Sequence, residues 1–279
     1  MTPLITTLAC PLCNKELSES GNALRCENRH TFNRARQGYY SFAVGNKKFS
    51  GDTAEMIQHR NAFLEASNHY QFIVTELAKL LNSDQQTCLD IACGTGYYAK
   101  QLIKQVAKIQ IIGLDISQPA IKSATKISKE VPDKFLACTS DIWQTFPIKS
   151  KSIDTVFSIF GPKNSAEFTR VLKPNGRLIT VTPAPNHMIE LRKKLRLLNI
   201  QNKKQDNLIQ KLPDFTCIKT IKKYQTLELT HKTALDEILM GPNGFHYNPT
   251  KLEKDLAENF KTKSINVTAS VVFQTWKSK

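Results

Sequence analysis

Leu89-Asp90-Ile91-Ala92-Cys93-Gly94-Thr95-Gly96-Tyr97-Tyr98 is the stretch on which the reading of this chain turns. A short apolar run ends in two glycines, and Tyr98, Leu102, Ile103 and Val106 then recur at helical spacing. The pattern predicts a buried strand, a tight turn and a helix start. Gly94 and Gly96 carry no Cβ, so the backbone there can turn sharply and come close to a ligand.

A second apolar run, Ile109-Gln110-Ile111-Ile112-Gly113-Leu114-Asp115, ends in a carboxylate about 20 residues beyond the loop. An acid at the tip of the second strand can take the two hydroxyls of a ribose while the first loop holds the rest of a nucleoside. Dinucleotide sites add a third glycine, which brings the helix close and aims its N-terminus at a pyrophosphate. Lys100 stands at that third position, so the loop suits a nucleoside ligand without a pyrophosphate. In its D-x-x-C-G-x-G form it resembles motif I of the class I S-adenosylmethionine-dependent methyltransferases.

The rest of a doubly wound α/β unit follows in order. Ser117 and Pro119 start a helix well. Residues 135–138, 153–160, 172–182, 213–229 and 264–276 read as strands, and the fourth should turn its C-terminal end toward a substrate. Upstream, Asp52 or Thr53 caps a helix through Met56, Ile57 and residues 63–64, and Tyr70 opens another with an apolar stripe of Ile73, Leu77, Leu80 and Leu81.

Near the N-terminus, Cys10, Cys13, Cys26 and His30 follow the spacing C-x2-C-x12-C-x3-H, with Pro11, Gly21 and Asn22 supplying turns. Three thiolates and an imidazole fill a tetrahedral zinc shell and leave no open position, so the spacing predicts one structural zinc per chain. Cys88, Cys93, Cys138 and Cys217 lie in apolar contexts and read as small buried hydrophobes. Seven cysteines in a chain with no signal-peptide pattern predict reduced thiols and a cytoplasmic protein. No eighteen-residue apolar run is present, which predicts no membrane partner.

Thirty-nine basic against 24 acidic residues give a net charge of +15, which favours a polyanionic partner and serves solubility equally well. In residues 31–42, Arg34, Arg36, Tyr39 and Tyr40 interleave charge with aromatic rings. Two readings stand: an RNA-stacking surface, or aromatics packed beneath the zinc knuckle. Residues 46–53 form a polar linker that carries Lys47 and Lys48. From Asn186 to Lys223 the chain holds ten Lys or Arg against three acids, including Arg192 and Lys193. Phosphate contact and the solvated face of an amphipathic helix with Leu191, Leu195 and Leu198 both account for it.

Taken together, the zinc set, Gly51-Asp52-Thr53-Ala54-Glu55-Met56, Asn68-His69-Tyr70-Gln71, the loop from residue 93 to 98 and Thr182-Pro183-Ala184-Pro185-Asn186-His187 look like the bacterial 23S ribosomal RNA (guanine-N1)-methyltransferases, over nearly the whole chain and in the correct order. That resemblance implies a zinc-ribbon RNA-recognition domain in residues 1–45, lead-in helices in 46–85 and a Rossmann-like class I methyltransferase domain in 86–279. It implies methylation of N1 of a guanine in a 23S rRNA hairpin beside the peptide exit tunnel. It also implies a homodimer and, in some members, macrolide resistance. Two departures stand out: Thr95 where an acid is expected, and Gly161 where alanine is expected.

The expected cofactor contacts are Tyr70, Asp90, Gly94, Thr95, Gly96, Tyr97, Asp115, Ile116, Asp141 and His187. Asp141 reads equally as a loop cap, and His187 as a locally satisfied histidine. Guanine N1 carries a proton at neutral pH and must be unpaired and deprotonated to attack. Asp141 and His187 are the candidates for its base, with Lys163 as an alternative stabiliser of the anion. Competing functions are methylation of another RNA site or a small molecule, and a non-catalytic nucleic-acid-binding protein that kept the fold.

Overall fold

A computed structural model of the chain describes residues 3–43, 51–81, 86–198 and 204–279. Lys47 and Lys48 lie outside them. The N-terminal segment folds as an antiparallel sheet of β1 (Ser18–Ser20), β2 (Ala23–Arg25) and β3 (Thr31–Asn33). Then come β4 (Tyr40–Ser41), α1 (Ala54–Ser67) and α2 (Gln71–Leu80). The larger unit runs β5 (Gln86–Ile91), α3 (Tyr97–Gln105), β6 (Ile109–Asp115), α4 (Gln118–Glu130), β7 (Phe135–Thr139), β8 (Ile153–Ile159), α5 (Ser165–Val171) and β9 (Leu172–Pro183). It ends with α6 (Ile189–Leu195), α7 (Lys204–Lys211), β10 (Phe215–Thr230), α8 (His231–Leu239), α9 (Pro249–Asn259) and β11 (Ser264–Ser278).

The large sheet has the order β10-β11-β9-β8-β5-β6-β7-β4. Strands β4 to β9 pair in parallel, and β11 and β10 close the other edge antiparallel. Every residue of β6 is buried, as expected of a parallel strand covered by helices on both faces. The strand order reverses between β5 and β8, which opens a crevice beyond their C-terminal ends. The hairpin of β10 and β11 overruns that edge, because β9 ends at Pro183 opposite Val271 while β11 begins at Ser264. The insertion between them, α8 and α9, is therefore carried over the crevice.

Capping follows the sequence closely. Thr53 Oγ1 accepts the Met56 N–H at 3.2 Å, so Thr53 is the cap of α1, and Ser117 Oγ accepts the Ala120 N–H at 3.2 Å to start α4. Cys88, Cys93 and Cys138 are buried as expected, and Cys217 is half-buried. Helix α6 buries Leu191 and Leu195 but ends before Leu198, which stays exposed.

The zinc-ligand segment shares a core with the large sheet. Leu8, Leu24, Phe32 and Phe42 pack in one apolar cluster with Leu114, Ile142, Phe146 and Ile148, and the Phe32 and Phe42 rings lie 4.8 Å apart. Ala9 N–H donates to Pro147 O at 3.2 Å, and Lys149 N–H to Thr7 O at 2.9 Å. Strand β4 extends the large sheet by pairing Tyr40 with Cys138. This corrects the stacking role expected for Tyr39 and Tyr40: both are buried, at 6% and 5% exposure, because β4 has joined the sheet. Arg34 and Arg36 remain exposed, with the Arg34 guanidinium 5.7 Å from the Tyr40 ring centre.

Candidate active site and metal centre

Beyond the ends of β5 and β8 lies a cavity of about 880 Å3. Left-handed backbone at the strand ends shapes its floor: Ala92 at φ 55°, Gly94 at 56° and Phe160 at 55° line it, while the expected contact Gly96, at 77°, does not line it and instead caps the start of α3. Backbone of this kind is costly for residues with a Cβ and collects at functional sites. A Cβ at Gly96 would meet Ile127 Cδ1 at 2.7 Å and Ala124 Cβ at 3.3 Å, so side chains of α4 would have to shift.

Two carboxylates face this floor. Asp115 Oδ2 accepts the Gly94 N–H and Oδ1 the Ser117 N–H, each at 2.8 Å. Each carboxylate oxygen has a second lone pair, so Asp115 can still accept from a ligand. Burial pushes its carboxyl up, offset in part by those two N–H groups. Asp90 is 3% exposed, and burial together with the nearby Asp115 charge pushes its carboxyl up to about 8. Asp90, Gly94, Thr95, Tyr97, Asp115 and Ile116 all line the cavity.

Tyr70, Asp141 and His187 line it too, and Lys163 does not. Asp141 Oδ1 caps its own turn by accepting the Trp143 N–H at 2.9 Å, which is the loop-cap reading, while the residue also lines the cavity. Lys163 Nζ is turned to Ser158 Oγ at 2.9 Å and to Gly161 O at 2.5 Å, where it braces the loop after β8. It is corrected from anion stabiliser to loop brace.

His187 Nδ1 accepts the Ser270 N–H at 3.1 Å, and Nε2 lies 3.2 Å from Tyr70 Oη. With Nδ1 occupied as an acceptor, the neutral ring carries its hydrogen on Nε2 and has no free lone pair to receive a proton. His187 is therefore corrected as a base and retained as a cavity-wall residue. Arg192 lines the cavity from α6 and donates to His187 O at 2.8 Å and to Pro185 O, whereas Lys193 points to solvent.

Six wall residues were not among the expected contacts. Asp52 and Arg60 form an ion pair at 2.5 Å, and Arg60 Nη2 also donates to Met240 O at 2.6 Å, tying α1 to the end of α8. Glu237 comes from α8 and lines the cavity together with Tyr70. Trp143 at 66%, Phe160 at 41% and Phe245 at 54% are the exposed rings of the wall. An apolar-to-charged break such as Arg60 within helix α1 was the available signal for the first pair. Nothing local marks Glu237.

The residues present fit both expected groups. Thr95 Oγ1 and Tyr97 Oη are buried without a hydrogen-bond partner among the described residues, and both residues stand on the cavity wall, ready for a polar ligand. Together with the ribose-type acid Asp115 they suit S-adenosylmethionine. At the N-terminus, the ligand atoms of Cys10, Cys13, Cys26 and His30 lie within 4.8 Å of one another. Cys13 Sγ and Cys26 Sγ are 3.7 Å apart, and His30 Nδ1 lies 3.3 and 3.4 Å from Cys10 Sγ and Cys26 Sγ. Thiolates bound tetrahedrally at about 2.3 Å stand about 3.7 Å apart, so these are the edges of a zinc tetrahedron.

Comparison with known proteins agrees with this geometry. A family model described as a methyltransferase domain matches residues 82–239, and the zinc-ribbon model described as RlmA, N-terminal, matches residues 8–48. The 23S rRNA (guanine(748)-N(1))-methyltransferase of Streptomyces fradiae is 31% identical over 261 residues, covering 91% of each chain. A Micromonospora griseorubida protein provisionally named a 23S rRNA (guanine-N(1)-)-methyltransferase is 30% identical and covers 96% of each. Among solved structures, a Haemonchus contortus phosphoethanolamine N-methyltransferase complexed with phosphomonomethylethanolamine and S-adenosylhomocysteine superposes with a TM-score of 0.54. At 14% identity, with 94% of this chain and 70% of that one covered, it speaks for the fold alone.

Proposed function

The chain belongs to the RlmA-type 23S rRNA (guanine-N1)-methyltransferases, and from that premise we propose that it methylates N1 of a guanine in a 23S rRNA hairpin beside the peptide exit tunnel. The observation that carries this reading is the two-part cavity: buried carboxylates and a glycine loop at its floor, exposed aromatic rings on its wall.

S-adenosylmethionine, when bound, supplies an electrophilic methyl carbon. In this reading Asp115 takes the ribose hydroxyls, Asp90 and the loop of Gly94 and Thr95 hold the amino-acid end, and Asp141 with Ile116 flanks adenine. N1 lies on the pairing edge of guanine, so the base must leave its helix to reach the methyl carbon. Trp143, Phe160 and Phe245 offer rings on which an extruded base and its neighbours stack. The narrow floor then sets N1 in line with the methyl group and excludes water, which is the main catalytic task in such a transfer.

The same reading assigns residues 1–45 to RNA capture, with Arg34 and Arg36 there and Lys193 on α6 meeting phosphates. It places the enzyme in the cytoplasm as a homodimer. No helix among the described residues is long and apolar enough to cross a membrane. The test is incubation of the protein with labelled cofactor and large-subunit rRNA, followed by nucleoside analysis. Label in 1-methylguanosine is expected. Label in another nucleoside would reassign the reaction, and cofactor binding without transfer would favour a non-catalytic RNA-binding protein.

A further inference from the structure

Helix α8 presents Glu237 to the cavity, in the insertion carried over its mouth. A line of hydrogen bonds on the same wall runs from Ser270 through His187 to Tyr70. The Ser270 N–H fixes His187 Nδ1 as an acceptor, so Nε2 carries hydrogen and donates to Tyr70 Oη. The phenol hydrogen is then free to point at the carboxylate of Glu237, which lines the same cavity and whose charge acts on Tyr70. Each side chain in the line thus has its proton-accepting site occupied.

Three other acids on the wall already hold partners of their own. Asp115 grips two backbone N–H groups, Asp141 caps the Trp143 turn, and Asp52 is paired with Arg60. Asp90 faces Asp115 at the floor. We propose that Glu237 is the general base that removes the N1 proton of the bound guanine, an inference that rests on the methyl transfer proposed above. The N1–H proton passes to the Glu237 carboxylate, and the nitrogen electron pair forms the bond to the methyl carbon. The C–S bond breaks with its pair remaining on sulfur, which becomes a neutral thioether. Glu237 afterwards releases the proton to solvent.

Burial pushes the Glu237 carboxyl up to about 7, while the neighbouring Tyr70 hydroxyl and the Arg192 charge pull it back. A base at that value is substantially ionised at neutral pH and accepts a proton far better than an ordinary carboxylate. Of the charged groups around it, Arg192 faces it from α6, and Tyr70, backed by His187, from the start of α2. Its helix neighbour Asp236 is bound to His59 of α1 at 2.7 Å, and Arg60 of α1 is held by Asp52 and Met240 O.

The test compares wild type with Glu237→Gln, which keeps the shape of the side chain and an acceptor for Tyr70. At saturating RNA and cofactor, the methylation rate of Glu237→Gln is expected to fall by about a hundredfold or more. Calorimetric affinity for S-adenosylmethionine should stay within about twofold, and Glu237→Asp should recover part of the rate. Infrared difference titration of the cofactor-free protein adds a readout independent of turnover: a carboxyl band titrating near pH 7 in wild type, missing in Glu237→Gln. The wild-type rate should rise through the same range. A Glu237→Gln enzyme that keeps the wild-type rate and pH profile overturns the assignment. A wild type that transfers no methyl to rRNA overturns instead the reading of function on which the assignment depends.

Discussion

Asp115 Oδ2 accepts the Gly94 N–H at 2.8 Å, so the carboxylate at the tip of the second core strand holds the loop that follows the first. One side chain thereby shapes the cavity floor and lines the cavity. Asp115→Ala strands the buried N–H groups of Gly94 and Ser117, at about 1–3 kcal/mol each. Its thermal midpoint should drop by several degrees, and cofactor affinity should fall at least about tenfold by calorimetry. Asp115→Asn should regain part of the stability and little of the affinity. Undiminished affinity in both variants would remove Asp115 from the ribose site.

Asp90 gives a pH signature. Burial and the Asp115 charge raise its folded value to about 8, while an unfolded aspartate titrates near 3.9. The folded state therefore binds the extra proton between those values, and stability falls as pH rises from about 4 to about 8. Asp90→Asn removes that dependence. Cofactor-free Asp90→Asn should melt higher than wild type at pH 8.5, the gap closing toward pH 4. Parallel melting curves across that range would show that Asp90 carries no such burden.

The zinc site is coupled to the whole fold, because Leu24 and Phe32 of the ribbon share a core with Leu114 and Ile148 of the large unit. Cys10→Ser should lose bound zinc by elemental analysis. Zinc binding is folding free energy for a module too small to build its own core. Chelation should accordingly lower the melting temperature of the complete chain, not of a separate early transition alone. Full zinc content in Cys10→Ser would contradict the ligand set.

On the cavity wall, Trp143 is 66% exposed and Phe245 54%. Stacking is worth about 1–3 kcal/mol per base, so Trp143→Ala and Phe245→Ala should each lower kcat/KM for RNA by about five- to a hundredfold. Cofactor affinity should not change. Loss of cofactor binding instead would place these rings around adenine.

What could be read from the sequence was what its neighbours dictate. The apolar run into Gly94 and Gly96, the acid closing β6, the Ser117 cap and the cysteine spacing are all local patterns, and each reappears in the structure as the element or cluster its pattern predicts. The misses are long-range. Tyr40 reads as an aromatic beside basic residues until Cys138, far along the chain, takes it as a sheet partner. Glu237 has no local signal at all, and only the β10–β11 hairpin brings α8 back to the cavity that Tyr70 lines. His187 looked like a base because its sequence position says nothing of Ser270, whose N–H occupies Nδ1.

Methylation at N1 blocks the pairing edge of guanine, so it can be mapped by arrest of reverse transcription. The most direct measurement is primer extension on 23S rRNA from cells lacking this gene, before and after incubation with purified protein and S-adenosylmethionine. The account predicts a new arrest at a single guanine of the exit-tunnel hairpin, absent when Asp115→Ala protein is used. Full-length extension through that hairpin, with cofactor shown to be bound, would contradict it.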